Sequence, residues 1–435
     1  MRPPPLGTSH ALATCALLLS PLSEVVAAPI ISEIHYHPRH AARTPEPTDD
    51  EFIEIHNPDT TTSDLSGWAF TNGIAYTFPS GTTLGPGAYL VVRAPSWTGR
   101  LSNSGERITL SDASGDTVDS VSYSDGADWA DLRPGASSAG AVGWEWFAPH
   151  DGGGPSLERT STSSALPSDA GQLWRSSTSN GGTPGAVNST DSSNIPPLLL
   201  DVAHFPALPR EGEPTIISVR ILDDQGVGLP TNVTAELHYR DASSLSPPGY
   251  SLLRLLDDGF AGDLVSGDGI FTALVPGQPA GTVTEFFATV TDPAGNSRTW
   301  PGPTDDSGGQ DANAHFLTVD PADLEPYSLD PTVGHYRLIT TASELDTFDS
   351  SSRGSDALRS STFISLRNGE TQIRYRTFFR VRGNGSRGRN PPPIKLIFPP
   401  GQPHDGLANT NVNAFITWSQ HIGMLLARAS GIRSP

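Results

Sequence analysis

Cysteine is almost absent from this chain. The 435 residues contain one, Cys15, which lies in a short apolar run over 11–22. The run follows a basic residue, Arg2, and precedes the small residues VVA at 25–27, which is typical of a cleaved secretory signal peptide over 1–27. The rest of the chain can form no disulfide bond. We therefore expect a buried core, with help from bound ions, to stabilise a secreted or cell-surface protein.

Long apolar runs and positive charge are also scarce. A bilayer span needs about 20 apolar residues, so we expect no transmembrane segment in the mature chain. The net charge of −20 argues against nucleic acid as a partner. The chain also has no G-x-S-x-G, H-E-x-x-H or Walker motif, which argues against the enzymes that use them. One basic segment departs from this pattern: residues 353–400 hold nine arginines and the only lysine, Lys395, against two carboxylates.

Glycine and proline are abundant, with 44 and 40 residues, which predicts many turns and few long helices. Short alternating runs between turns predict a mainly β fold with immunoglobulin-like β-sandwiches at 28–190 and 197–319. Residues 161–195 suit an ordered coil or linker. Beyond them, 335–435 predicts an α+β domain, with one helix over 341–350 capped by Thr341 or Ser343 and another over 418–432.

Several motifs in the first unit resemble the lamin-tail domain of secreted bacterial proteins. They are EFIEIHNP (51–58), DLSGWAFTNG (64–73), YTFPSGTTLGPGAYLVV (76–92) and GGGPSLERTS (152–161). The resemblance covers about 29–190. It implies an immunoglobulin-like sandwich and no agreed enzymatic activity. The second unit, at 197–319, looks like another immunoglobulin-like or fibronectin-like module.

Histidines and carboxylates are concentrated at 31–58. Strand alternation puts Glu33, His35 and His37 on one face, and a His-x-His pair can chelate a metal such as zinc. No third and fourth ligands are defined by the pattern. We therefore favour a polar strand face beside a solvated acidic loop, with metal binding at His35 and His37 as the alternative.

Aspartates recur in DDGFAGDLVSGDG (257–269). Asp257, Asp258, Asp263 and Asp268 offer the oxygen ligands that calcium takes in groups of six to eight. Their spacing is not that of an EF-hand loop. The alternative is a hairpin in which the aspartates accept turn hydrogen bonds. We retain calcium as a candidate cofactor.

Glycines punctuate the basic segment. Gly383, Gly385 and Gly388 satisfy G-x-G-x-x-G, but RNPPP at 389–393 forbids the helix that a dinucleotide site needs. A strand–loop–strand hairpin is allowed, as in the glycine-rich loop over ATP in protein kinases. The candidate phosphate-binding residues are Arg382, Gly383, Asn384, Gly385, Ser386, Arg387 and Lys395. The alternative is an exposed basic hairpin.

IRYRTFFRVRGNGSRGRNPPPIKLIFP (373–399) and QHIGMLLARASGIRSP (420–435) resemble the start of the CotH family of atypical kinases. The resemblance covers about 335–435. It implies ATP, a divalent ion such as magnesium and a protein serine or threonine substrate. Many members carry two basic residues where this chain has Lys395 alone. The family's acidic catalytic residues lie beyond the matched helix, so we expect a fragment or a natural truncation, inactive as it stands, with no catalytic residue assigned.

Two functions follow from these patterns. The first is a secreted or surface multidomain protein with an incomplete kinase-like domain, whose sandwiches bind or target a protein or cell-envelope component. The second is a non-catalytic adhesion or scaffolding protein, in which the basic hairpin contacts an anionic polymer.

Overall fold

The computed structural model describes residues 28–41, 44–225, 229–230, 232–260, 262–324, 334–367, 369–383, 385–388, 391–412 and 425–426. Strands account for 43% of the structure and helices for 6%, which confirms the mainly β prediction. The predicted signal peptide, Asn384 and most of the helix predicted over 418–432 lie outside the described residues.

The first unit contains fourteen of the described strands. They are β1 (Ile30–His35), β2 (Phe52–His56), β3 (Ser63–Asp64), β4 (Ala69–Asn72), β5 (Ile74–Thr77), β6 (Thr83–Leu84), β7 (Tyr89–Arg93), β8 (Thr98–Gly99), β9 (Glu106–Ser111), β10 (Thr117–Tyr123), β11 (Asp131–Pro134), β12 (Trp144–Phe147), β13 (Pro155–Arg159) and β14 (Trp174–Asn180). Single 3-10 turns lie at Thr48–Asp50, Ala127–Trp129 and Gly171–Leu173.

Two five-stranded sheets of this unit pack face to face. Their orders are β14-β13-β1-β2-β7 and β10-β9-β4-β5-β8. Apolar residues at alternate positions meet between the sheets, and Ile34, Ile53, Ile108, Val121 and Trp174 are all fully buried. The first unit is therefore a β-sandwich built by period-2 alternation.

The coil predicted over 161–195 is wrong at its centre. Strand β14 (Trp174–Asn180) pairs antiparallel with β13 and forms the edge of the first sheet. The serine- and threonine-rich composition misled the prediction, because one large apolar residue, Trp174, anchors the strand in the core. The segment belongs to the sandwich.

The second unit is also built from two facing sheets. Its strands are β15 (Leu198–Phe205), β16 (Thr215–Leu222), β17 (Thr234–Asp241), β18 (Ser251–Arg254), β19 (Ile270–Val275), β20 (Val283–Thr291), β21 (Ser297–Trp300) and β22 (Ala314–Leu317), followed by a 3-10 turn at Pro321–Leu324. One sheet has the order β15-β16-β19. The other has the order β18-β17-β20-β21, with β22 also paired to β20.

The third unit is a six-stranded sheet with one described helix. Its elements are β23 (His335–Ile339), α1 (Ala342–Ser350), β24 (Arg359–Arg367), β25 (Glu370–Val381), β26 (Ile394–Ile397), β27 (Asn409–Val412) and β28 (Leu425–Leu426), in the sheet order β27-β26-β25-β24-β23-β28. The predicted helix over 341–350 is confirmed, and Thr341 caps it by accepting the Glu344 N–H. The helix predicted over 418–432 is wrong at Leu425–Leu426, which pair as a strand with β23.

The three units pack against one another. Leu132, Ala312 and Phe378, one from each unit, form a shared apolar cluster. Tyr375 of β25 packs into the core of the second sandwich, and its hydroxyl lies 2.5 Å from His204 Nδ1. These contacts fix the third sheet against both sandwiches.

Candidate functional site

The aspartate loop of the second unit brings three carboxylates together. Ligand atoms of Asp257, Asp263 and Asp268 lie within 4.8 Å of one another. Asp258, which the sequence also nominated, is not part of this group. Within the described residues this is the only set of three or more His, Cys, Asp or Glu side chains that meets this distance.

Backbone amides already occupy much of this carboxylate group. Asp257 accepts N–H groups from Gly267 at 2.5 Å and Gly269 at 2.9 Å, and Asp263 accepts the Gly259 N–H at 2.6 Å. Such bonds order a glycine-rich turn without an ion. With one oxygen from each carboxylate, the three side chains supply fewer ligands than calcium takes, so an ion here would need carbonyl or water ligands as well.

Exposed apolar side chains surround the same loop. Of the fourteen large hydrophobic residues that are exposed among the described residues, seven lie between 252 and 274. These are Leu252, Leu256, Phe260, Leu264, Val265, Ile270 and Leu274, and we call them the apolar surface. They lie on β18, β19 and the loop between them, at the edges of the two sheets. Leu264 is 92% exposed. The sequence analysis missed this surface because it considered only the aspartates of the loop.

The basic hairpin is the strand–turn–strand arrangement predicted from the sequence. Strands β25 and β26 pair with Arg380 opposite Lys395. The turn begins at Gly383, whose φ of +87° is disfavoured for other residues. A Cβ there would lie 2.3 Å from Ser386 Oγ.

Two cations of the hairpin form ion pairs with Asp356, and two others do not. Arg387 donates to Asp356 Oδ1 at 2.6 Å and to the Arg353 carbonyl at 3.2 Å, and Arg380 also pairs with Asp356. Hydrogen bonding from Arg387 holds the pKa of Asp356 below its usual value. In the described part of the chain, the side chains of Arg382 and Lys395 have no hydrogen-bond or ion-pair partner, although their backbones pair within the sheet and the turn. These two cations remain available to a ligand, together with the half-buried Ser386 and the exposed Gly385.

The histidines of the opening stretch do not converge. His35 is buried against the Phe52 ring, and burial lowers its pKa. His37 lies beyond the end of β1, where its Nδ1 is 2.5 Å from Asp151 Oδ1 and its Nε2 is 3.9 Å from Glu46. The favoured interpretation, a polar strand face beside a solvated acidic loop, holds in part: Asp49 and Asp50 of the loop are exposed, whereas Glu33 and His35 on the strand face are buried.

The buried strand face carries three glutamates, and another segment of the chain covers it. Glu33, Glu54 and Glu158 lie side by side on β1, β2 and β13, and each is 0% exposed. The segment 182–190 covers them and donates N–H groups from Thr183 to Glu33 at 2.9 Å, from Gly185 to Glu54 at 2.5 Å and from Thr190 to Glu158 at 3.0 Å.

The electrostatics of this glutamate ladder are unusual. Glu33 Oε2 is buried without a hydrogen-bond partner among the described residues. Burial raises the pKa of Glu33 to about 7, with Glu54 and Glu158 adding like-charge repulsion. Burial also raises the pKa of Glu54. Glu33 therefore holds a proton more readily near neutral pH than an exposed glutamate does.

Comparison with known families supports one module. Residues 23–125 match the family model of the Lamin Tail Domain, which spans strands β1 to β10. The lamin-tail prediction is thereby confirmed for this part, and the domain is immunoglobulin-like. No curated protein matches the chain. In the part of the chain with described structure, no helix has the length and apolarity to cross a bilayer.

Proposed function

We propose that this protein is secreted or held at the cell surface, where its two sandwiches bind a protein or cell-envelope component. The apolar surface of the second unit carries the proposal. Seven exposed large hydrophobic side chains in one short stretch form an unusual surface for a solvated module, and such surfaces are typical of interaction sites. The lamin-tail match supports the same class of function, since that domain suggests a binding or targeting module.

A binding assay on the whole protein tests this function. We expect the wild type to sediment with isolated cell-envelope material or with its purified surface proteins. The double variant Phe260→Ser/Leu264→Ser should lose most of this binding, because it removes two of the most exposed apolar contacts. Leu245→Ser is the matched control, since Leu245 is 63% exposed outside the surface. Equal binding by all three proteins would contradict the proposal.

Secretion has its own test. The pattern over 1–27 leads us to expect that protein recovered outside the cytoplasm begins at Ala28. N-terminal sequencing or intact mass measurement of that material gives the answer. A protein that retains Met1 or the adjoining apolar run in the cytoplasm would contradict the secreted assignment.

A second candidate is phosphate binding by the basic hairpin, as the beginning of a CotH-like kinase domain. The unpartnered Arg382 and Lys395 beside the Gly383 turn favour it. These groups fit an ATP–magnesium complex in part, because guanidinium and ammonium groups suit phosphate oxygens. Arg387 fits less well, since Asp356 already pairs with it.

Thermal unfolding with ATP and magnesium tests this candidate. A ligand at 100 times its Kd stabilises the folded state by about 2.7 kcal/mol, which is a readily measured rise in Tm. We expect the rise in the wild type and in Arg367→Ala, an exposed cation of the same sheet, and its loss in Lys395→Ala. An absent rise in the wild type would refute nucleotide binding and leave the anionic-polymer function of the hairpin.

Calcium is proposed as a stabilising ion of the aspartate loop. Added calcium should raise the Tm of the wild type, and a chelator should reverse the effect. Asp268→Asn should abolish the rise, whereas Asp258→Asn should keep it, because Asp258 lies outside the convergent group. A Tm that does not change with calcium would contradict ion binding and leave the aspartates only their hydrogen bonds within the turn.

A further inference from the structure

A cavity of about 400 Å³ lies where the three units meet. Its lining includes Asp128 and Arg175 from the first unit, Arg298 and Trp300 from the second, and Arg376 from the third. Volumes of this size are typical of small-molecule sites, which often form between domains. The cavity is separate from the basic hairpin and from the apolar surface.

Three arginines face this cavity without ion-pair partners. Arg376 is buried, Arg298 is half-buried and Arg175 is exposed. Across the described residues, none of the three has a carboxylate oxygen within 4.0 Å, although other arginines such as Arg133 and Arg240 do. Asp128 and Asp131 line the same cavity and their charges favour the protonated arginines, but two carboxylates against three guanidinium groups leave an excess of one positive charge.

The hydrogen-bond donors of these arginines are largely unused. A guanidinium carries five N–H donors. Arg298 donates to the Pro196 and Pro197 carbonyls, and Arg175 donates to the Trp174 carbonyl. Arg376 makes one long bond of 3.4 Å, to Gly302, and its buried Nε has no partner among the residues described.

Repulsion between these cations adds to the imbalance. Burial, and to a lesser degree the nearby Arg175, lower the pKa of Arg298 to about 9. Burial lowers the pKa of Arg376 to about 10. All three guanidinium groups remain protonated at neutral pH. An oxyanion placed among them would gain two or more charge-assisted hydrogen bonds.

The remaining lining groups define what else the ligand carries. Asp128 and Asp131 are acceptors, and each has one partner already, Gln172 at 3.0 Å and Arg133 at 3.1 Å. The remaining carboxylate lone pairs of Asp128 and Asp131 can accept hydrogen bonds from hydroxyl groups of a ligand. The indoles of Trp129 and Trp300 line the cavity and supply apolar surface beside which a ring can lie. Oxyanion, hydroxyl groups and a ring face occur together in an acidic sugar.

We propose that this junction cavity binds a sugar unit that carries a carboxylate or a phosphate, with Arg175, Arg298 and Arg376 as the anion ligands. Occupancy would tie the three units together, because each supplies part of the site. The proposal goes beyond the binding function assigned to the apolar surface and does not depend on it.

Titration of the whole protein with four probes tests the proposal. The probes are galacturonic acid, glucose 6-phosphate, galactose and inorganic phosphate, followed by calorimetry and by tryptophan fluorescence. We expect one of the two acidic sugars to bind with a Kd below about 10 mM, and the neutral sugar to bind at least ten times more weakly, a difference of about 1.4 kcal/mol. Which acidic sugar binds distinguishes a carboxylate from a phosphate ligand.

Variants connect the binding to the cavity. Arg175→Gln should weaken the acidic sugar at least tenfold and still fold, because the side chain is exposed. Arg376→Gln gives a second measurement from the third unit. Arg367→Gln removes the same charge at a distant exposed position and should bind like the wild type. No binding of either acidic sugar, equal affinity for galactose, inorganic phosphate binding as tightly as the acidic sugar that binds, or affinity unaffected by Arg175→Gln would each overturn the proposal.

Discussion

Replacing Glu33 by glutamine tests the electrostatics of the glutamate ladder. The folded protein raises the pKa of Glu33 from its usual 4.5 to about 7. The folded state therefore binds more protons than the unfolded state between these values, and stability falls as pH rises through this window. Raising the pKa from 4.5 to about 7 corresponds to about 3 kcal/mol of free energy. Glutamine keeps the acceptor for the Thr183 N–H but cannot ionise.

The measurement is urea unfolding of both proteins across pH 4.5 to 7 and above. We expect the glutamine variant to gain about 3 kcal/mol relative to the wild type as pH rises through the window. The difference between variants matters, because buried histidines such as His204, whose pKa is lowered to about 4, also change the wild-type profile. Glu211→Gln, at an exposed position, controls for the lost charge. A free-energy difference that stays constant with pH would refute the raised pKa.

Three further substitutions follow from single contacts. Gly182→Ala should lower stability by about 3 kcal/mol in urea unfolding, because its φ is +72° and its Cβ would lie 1.7 Å from Glu33 Oε1; Gly181→Ala, with open space around its Cβ, isolates the backbone cost. Glu344→Ala should lower the free energy of unfolding by about 3–5 kcal/mol, because it leaves the buried Arg359 without its ion-pair partner. Asp405→Ala, which breaks an exposed ion pair, should lower it by about 0–1 kcal/mol. Asp257→Ala should lower Tm without calcium by removing the acceptor of the Gly267 and Gly269 amides, and an unchanged Tm would contradict this role.

Local patterns predicted most of the elements. The strands of both sandwiches follow period-2 alternation, and the start of α1 was readable from Thr341 followed by Glu344 three residues later. Alternation also put Glu33 on the face opposite Ile34. It could not show that this face would be covered, because the covering amide of Thr183 lies 150 positions away in the chain.

The candidate sites divide in the same way. The aspartate loop and the glycine turn are each built within a short segment, so composition and spacing located them. The junction cavity takes Arg175, Arg298 and Arg376 from three units, and no local pattern connects them. Burial depends on contacts between distant segments of the chain. The burial of polar residues is therefore the feature that is hardest to predict from one sequence.

The glutamate ladder and the junction cavity both concentrate charge of one sign, negative in the ladder and positive in the cavity. Protonation can remove the charge only in the ladder. A buried carboxyl without a counter-charge takes up a proton near neutral pH, as the raised pKa of Glu33 indicates. A guanidinium cannot respond in this way, because even the lowered pKa of Arg298, about 9, leaves it charged. Glu33 can lose its charge by taking up a proton, whereas the positive charge that Asp128 and Asp131 leave uncompensated among the junction arginines needs an anion from outside. That difference is why the cavity, and not the ladder, calls for a ligand.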